Sequence, residues 1–107
     1  MSNGSDAALR SALGLAMKAG RLRSGELAAE KALRSGKAAL AVLDEQASEN
    51  TRKHWSDMCR RFGVPLIFVR EPGRAIGREA HMTAVVTDGG FARMILNNYG
   101  KDPEFGG

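Results

Sequence analysis

The residues whose types and spacing bear most directly on chemistry lie between positions 20 and 44, GRLRSGELAAEKALRSGKAALAVLD. Ser24 and Gly25 stand ahead of a run of helix formers, where the first backbone N–H groups of a helix lack partners. Those N–H groups and the helix dipole point the same way, so a helix start attracts anions. Lys31, Arg34 and Lys37 line the same helix and its exit. Between Arg10 and Lys37 there are seven Lys/Arg against two Glu, more positive charge than the net +4 of the whole chain. Nucleic-acid phosphates would suit such a surface. A solvated basic helix packed on a sheet would look the same, and this stretch alone leaves both readings open.

Nucleophilic, metal and nucleotide chemistry find less support. His54 and Cys59 are five residues apart on a helical stretch, roughly 140° around its axis. Cys59 also falls on that helix's apolar stripe, where a thiol packs as a small hydrophobe. Two His and one Cys at unrelated spacings form no recognisable metal site. Asp44 and Glu45 end a central strand, the usual place for acids of an α/β active site. No His or Lys converges on them, so they read as strand-end solvation. The glycines make neither a G-x-x-x-x-G-K-S/T loop nor a dinucleotide fingerprint. His81 could stack on a base from its loop, although an incidental polar loop residue is the plainer reading. With four Phe, one Trp and one Tyr, several of them assigned to the core, an aromatic base-stacking platform is not expected. The expectation is no catalytic residue, no metal and no cofactor.

A scaffold of 107 residues implies one domain with one core. A pI near 9.7 fits a polyanionic partner. The single cysteine precludes an intrachain disulfide, no run approaches a membrane span, and MSNGSDA lacks a signal-peptide layout. Cytoplasm is the expected location. Ser5 or Asp6 is placed to cap a first helix carrying Leu9, Ala12, Leu13, Ala16 and Met17, stopped by Gly20. Residues 21–24 make a brief strand. The next helix has Leu27, Ala28, Ala29, Ala32 and Leu33 as its apolar side and ends at Gly36. Apolar runs at 39–43, 66–69 and 83–87 suit strands covered on both faces, as in a largely parallel sheet. Between the first two runs, residues 48–62 form a helix with Trp55, Met58, Cys59 and Phe62 as a core stripe. Pro72 and Gly77 bracket a short helix with Arg74 and Arg78, and Gly89-Gly90 opens a last helix with Phe91, Met94 and Ile95 inward. Residues 1–5 and the tail KDPEFGG are expected to be loose around an ordered core of about 6–99. The sum is a single domain, a three-layer α/β/α sandwich.

Three segments carry a family resemblance: A-x-x-A-G-R-L-x-S-G from Ala16 to Gly25, D-E-x-A-S-E-N-T from Asp44 to Thr51, and G-R-A-I-G-R-E-A from Gly73 to Ala80. In this order and spacing the chain resembles the kink-turn-binding ribosomal proteins of the L-seven-Ae and L-thirty-e type, and most of all their small bacterial YlxQ-type branch. The resemblance covers about residues 8–98. It implies a mixed, roughly four-stranded sheet and a non-enzymatic, ribosomal-protein-like role in binding structured RNA, either ribosomal or kink-turn-like. It places the RNA surface on the second helix and on the loop before the last strand. The candidate set is Gly25, Glu26, Leu27, Lys31 and Arg34 on the helix, with Arg74, Arg78, Glu79, Ala80 and His81 beside it. Gly25 matches the glycine at the helix start and Lys31 a lysine that reaches RNA. Kink-turn specialists carry an Asn-Glu pair two and three residues after that glycine; Leu27 and Ala28 stand there instead. Neither can hydrogen-bond a base edge, which favours phosphate and shape readout. No membrane partner is expected and no oligomer is implied. A protein-interaction module on the same fold, or a substrate-binding appendage of an enzyme, remains as an alternative.

Overall fold

Glycine stops and apolar runs divide the chain into nine elements in the computed structural model, which describes residues 3–105, with side chains from Asp6 onward. They are α1 (Asn3–Lys18), β1 (Leu22–Ser24), α2 (Glu26–Arg34), β2 (Leu40–Asp44), α3 (Glu49–Phe62), β3 (Leu66–Val69), α4 (Pro72–Ala75), β4 (Thr83–Val86) and α5 (Gly89–Tyr99). The helix caps explain several boundaries. Ser48 accepts from the Thr51 N–H ahead of α3, and Asp88 accepts from the Phe91 N–H ahead of α5. Gly63 ends α3 in the left-handed conformation, φ 68°. Helix α1 starts earlier than its capping signals suggest, so Ser5 and Asp6 lie inside it. The Asp6 carboxylate instead pairs with Arg70 at 3.4 Å.

The four strands form one sheet in the order β1-β4-β2-β3. Strands β2 and β3 are parallel, with Ala41 opposite Leu66, while β4 runs antiparallel to both β2 and β1. The sheet is thus the mixed, four-stranded one that the family resemblance implies, not the largely parallel one suggested by the apolar runs alone. The connection explains why. A parallel return requires a crossover that traverses the sheet, usually through a helix. The segment after β3 holds only the four-residue α4, about 6 Å of helix, so β4 starts at the end where β2 and β3 finish. Burial on both faces does not depend on strand direction, which is why the apolar runs misled on this point.

Two cores sandwich the sheet. Leu9, Leu13 and Ala16 of α1, with Ala92 and Ile95 of α5, pack on the face carrying Leu40, Val42, Ile67 and Val86. Ala29, Ala32 and Leu33 of α2, with Trp55, Met58 and Cys59 of α3, cover the face carrying Ala41, Leu43, Leu66 and Val85. Trp55 is fully buried, and its indole N–H has no hydrogen-bond partner among the described residues. Three residues expected on buried faces are exposed: Phe62, Leu27 and its neighbour Ala28. Phe62 is 37% exposed, because it is the last residue of α3 and Gly63 turns the chain away; the Arg61 guanidinium lies 5.8 Å from its ring centre. Leu27 is 90% exposed. It sits two residues before Ala29, about 200° around the helix from the face that Ala29, Ala32 and Leu33 bury.

The tail shows no pattern in sequence, yet Glu104 exchanges two backbone hydrogen bonds with Leu66, at 2.7 and 2.9 Å, on the outer edge of β3. Phe105 packs against the second core beneath the Arg60 guanidinium, 4.9 Å from its ring centre. Among the described residues no helix is long and apolar enough to cross a membrane.

Burial pushes the Cys59 thiol from an ordinary 9.0 up to about 12. Cys59 should accordingly resist a thiol reagent at pH 8 in the native protein and react once denatured. Folding favours the neutral thiol, so its contribution to stability is complete below pH 9 and is lost as pH rises towards 12. Cys59→Ala should cost about 1–2 kcal/mol in urea melts and leave ligand binding at wild-type strength. Native reactivity equal to that of a free thiol would contradict the burial.

Candidate nucleic-acid interface

The mixed topology gathers the end of β1, the start of α2 and the start of β4 at one end of the sheet. Ser24 lies opposite Ala84, and the next N–H, that of Gly25, donates to the Thr83 carbonyl at 2.9 Å. Gly25 then takes φ 89° and ψ 147°, a conformation that glycine reaches without steric cost. No side chain caps α2. The N–H groups of its first turn therefore have no side-chain acceptor from the cap position, and Glu26 is the acidic residue beside them. Glu26 complements the helix dipole but opposes an incoming anion, so the start of α2 is not a pure phosphate cradle.

The loop before β4 lies directly on this corner. Gly25, Glu26, Ala80 and His81 line one cavity of about 230 Å³ together with Thr51, Met82 and Thr83. Arg74, Glu79 and Ala80 line a neighbouring one of about 370 Å³ with Asp44, Gln46, Glu71 and Met82. Lys31 and Arg34 flank Leu27 on the outward side of α2. Arg78 is exposed at the head of the loop and lines neither cavity. The structure thus brings Gly25, Glu26, Ala80 and His81 into one cavity and leaves Leu27, Lys31, Arg34 and Arg78 outside it.

The cations among them are not equivalent. Arg34 is paired with Glu30 at 2.8 Å, and Arg74 with Glu71 at 3.6 Å. Glu30 also meets His54 of α3 at 3.1 Å. The hydrogen bond from His54, and after it that from Arg34, holds the Glu30 carboxyl below the usual carboxylate range. Lys31 and Arg78 have no acidic partner among the described residues. Lys31 further faces a groove of about 530 Å³ shared with Arg23 and Lys37, where three basic side chains surround Ala28 and Ala32.

Sequence reasoning passed over Gly73, Thr51 and Met82. Gly73 is the floor of the loop: a Cβ there would stand 2.3 Å from the His81 carbonyl oxygen and 2.4 Å from that of Arg78. Thr51 and Gly73 both lie within the segments that carried the family resemblance, so a signal was present. Met82, 37% exposed, had none. No group of three His, Cys, Asp or Glu able to hold a metal occurs among the described residues.

An open surface, built where a helix start and a loop meet at the end of a mixed sheet, defines a small α/β/α sandwich that presents a corner rather than an enclosed active site. The chain belongs to the Ribosomal protein L7Ae/L30e/S12e/Gadd45 family, whose pattern it matches over residues 7–95. It is 41% identical over 88 residues to the RNA-binding protein YlxQ of Bacillus subtilis, covering 79% of this chain and 88% of that one. A protein of the same name from Enterococcus faecium is 36% identical over 84 residues, covering 76% and 81%. Among solved structures, a protein of unknown function from Bacillus halodurans superposes with a TM-score of 0.81 at 32% identity, over 87% of this chain and 97% of the other. The Giardia lamblia 15.5kD RNA binding protein shares the fold, with a TM-score of 0.73 at 19% identity over 94% and 88%.

Gly73→Ala should be the most damaging small change at this corner, because the added methyl meets two backbone oxygens that cannot rotate away. A loss of about 1–3 kcal/mol or more is expected in urea melts, as for overpacking elsewhere. Backbone NMR shifts should change across residues 78–82. Unchanged stability and shifts would mean that the loop does not rest on Gly73.

Proposed function

We propose that this chain is a non-enzymatic RNA-binding protein acting on structured RNA in the cytoplasm, with the start of α2 and the loop before β4 as its contact surface. The observation that carries the reading is the packing of two distant segments into one corner, with Lys31 and Arg78 lacking acidic partners among the described residues. The relatives' names support it, since two proteins more than a third identical are called RNA-binding. Uncapped N–H groups and unpaired cations recognise phosphate and the shape of a folded RNA without reading base edges. Ribosomal RNA and kink-turn-like motifs are the RNA classes that the family points to.

Leu27 and Ala28 set the expected selectivity. One apolar side chain 90% exposed and one methyl cannot bond a base edge, so discrimination has to come from shape and phosphate geometry. Wild type should favour a kink-turn RNA over an unrelated hairpin only modestly. A bidentate base contact contributes about 1–3 kcal/mol, so Leu27→Asn with Ala28→Glu should widen that preference by about ten-fold. Lys31→Ala should weaken binding to both RNAs together and lower the slope of log affinity against log salt by about one. Filter binding of the three proteins to both RNAs, across a salt series, tests all of this. Salt-independent affinity would overturn the phosphate reading. Strong kink-turn selectivity in the wild type would overturn the role given to Leu27 and Ala28.

A further inference from the structure

One side-chain hydrogen bond joins the two halves of this corner. Ser24 Oγ, at the end of β1, lies 2.8 Å from His81 Nδ1 in the loop before β4. The imidazole also lies against Gly25. A Cβ built there would be 3.2 Å from Cε1, 3.4 Å from Nε2 and 3.5 Å from Nδ1, so the ring takes the space that a side chain at 25 would need. On its other side the loop is held by backbone alone. The His81 N–H donates to the Arg78 carbonyl at 2.9 Å, the Arg78 N–H donates to the Gly73 carbonyl at 2.7 Å, and both carbonyl oxygens at 78 and 81 press on Gly73.

We infer that His81 is a positioning residue of the RNA surface: bonded to Ser24 and packed on Gly25, it fixes the spacing between the start of α2 and the loop carrying Arg78. This rests on the RNA reading above and changes the role of His81 within it, from a contact to a strut. A rigid folded RNA has a fixed spacing between the phosphates it offers, so its affinity depends on how well the Lys31 and Arg78 sides of the corner are held in register. A flexible polyanion adapts its own spacing and needs no such register. A strut and a direct contact therefore differ in what they discriminate.

Isosteric substitutions separate the two roles. In His81→Asn a polar atom stays where Nδ1 was; in His81→Gln it moves to about where Nε2 was; His81→Phe keeps the ring and removes both. Binding to a kink-turn hairpin RNA and to heparin should be measured for these, for Ser24→Ala and for Ser24→Ala with His81→Phe, with thermal melts showing that each is folded. Ser24→Ala and His81→Phe should each weaken hairpin binding by about five-fold, the worth of one ordinary hydrogen bond, and the double change should add nothing further. His81→Asn should keep hairpin affinity near that of wild type, His81→Gln should not, and heparin affinity should stay level throughout. Rescue by Gln but not Asn would make His81 a direct contact through Nε2 and overturn the strut. So would additive losses in the double variant, or heparin and hairpin affinities falling in parallel. A wild type that binds the hairpin, beside variants that bind it equally well, would sink this inference alone. A wild type that does not bind the hairpin would sink the RNA reading and the strut together.

Discussion

The antiparallel pairing of β1 with β4 is the constraint on which the corner depends. Three residues of β1 meet three of β4, Leu22 opposite Val86, Arg23 opposite Val85 and Ser24 opposite Ala84. In this register Leu22 points into the first core and Arg23 outward to the groove beside Lys31. A slip of one residue would turn Leu22 to solvent and Arg23 into the core, so burial fixes the register firmly although the strand is short. With the register fixed, Gly25 has to meet Thr83, and the helix start has to meet the loop. The corner is thus a consequence of strand pairing, and the side chains on it are additions to that frame.

Those additions vary at little structural cost. A nine-residue helix is too short to persist alone, and α2 is held by burial of Ala29, Ala32 and Leu33. Its other face carries Leu27, Lys31 and Arg34, all exposed. The outward positions Leu27 and Ala28 can therefore change without disturbing the packing. Burial and exposure are written on opposite faces of the same helix.

The layers were legible because the apolar residues repeat at helical or strand spacing and glycines mark the stops. The apolar runs alone did not reveal strand direction, since Val85 and Val86 are buried whichever way β4 runs; the mixed sheet came from the family resemblance. Leu27 was misassigned because α2 is rich in alanine on every side, and the true seam shows only once Ala29 is known to face the sheet. The grip of Glu104 on Leu66 was also hidden, because it uses backbone groups that carry no side-chain signature. At the corner, the family resemblance named both segments, whereas the pairing of Ser24 with His81 required three dimensions. An ion pair at i, i+4 is foreseeable from spacing alone. A hydrogen bond between positions 24 and 81 is not.

Trp55 gives the molecule an optical property that follows from its place in the second core. It is the chain's one tryptophan, buried behind α2, with the His54 ring edge-on to it at 6.4 Å and His54 in turn bonded to Glu30 of α2. Its emission is consequently that of a dry indole, and it shifts to longer wavelength when the layer formed by α2 and α3 opens to water. The opposite layer contributes Tyr99 and Phe91, both far weaker emitters. One face of the sandwich thus carries a natural lamp and the other is nearly dark, so fluorescence and circular dichroism followed side by side report whether the two layers come apart together or in turn.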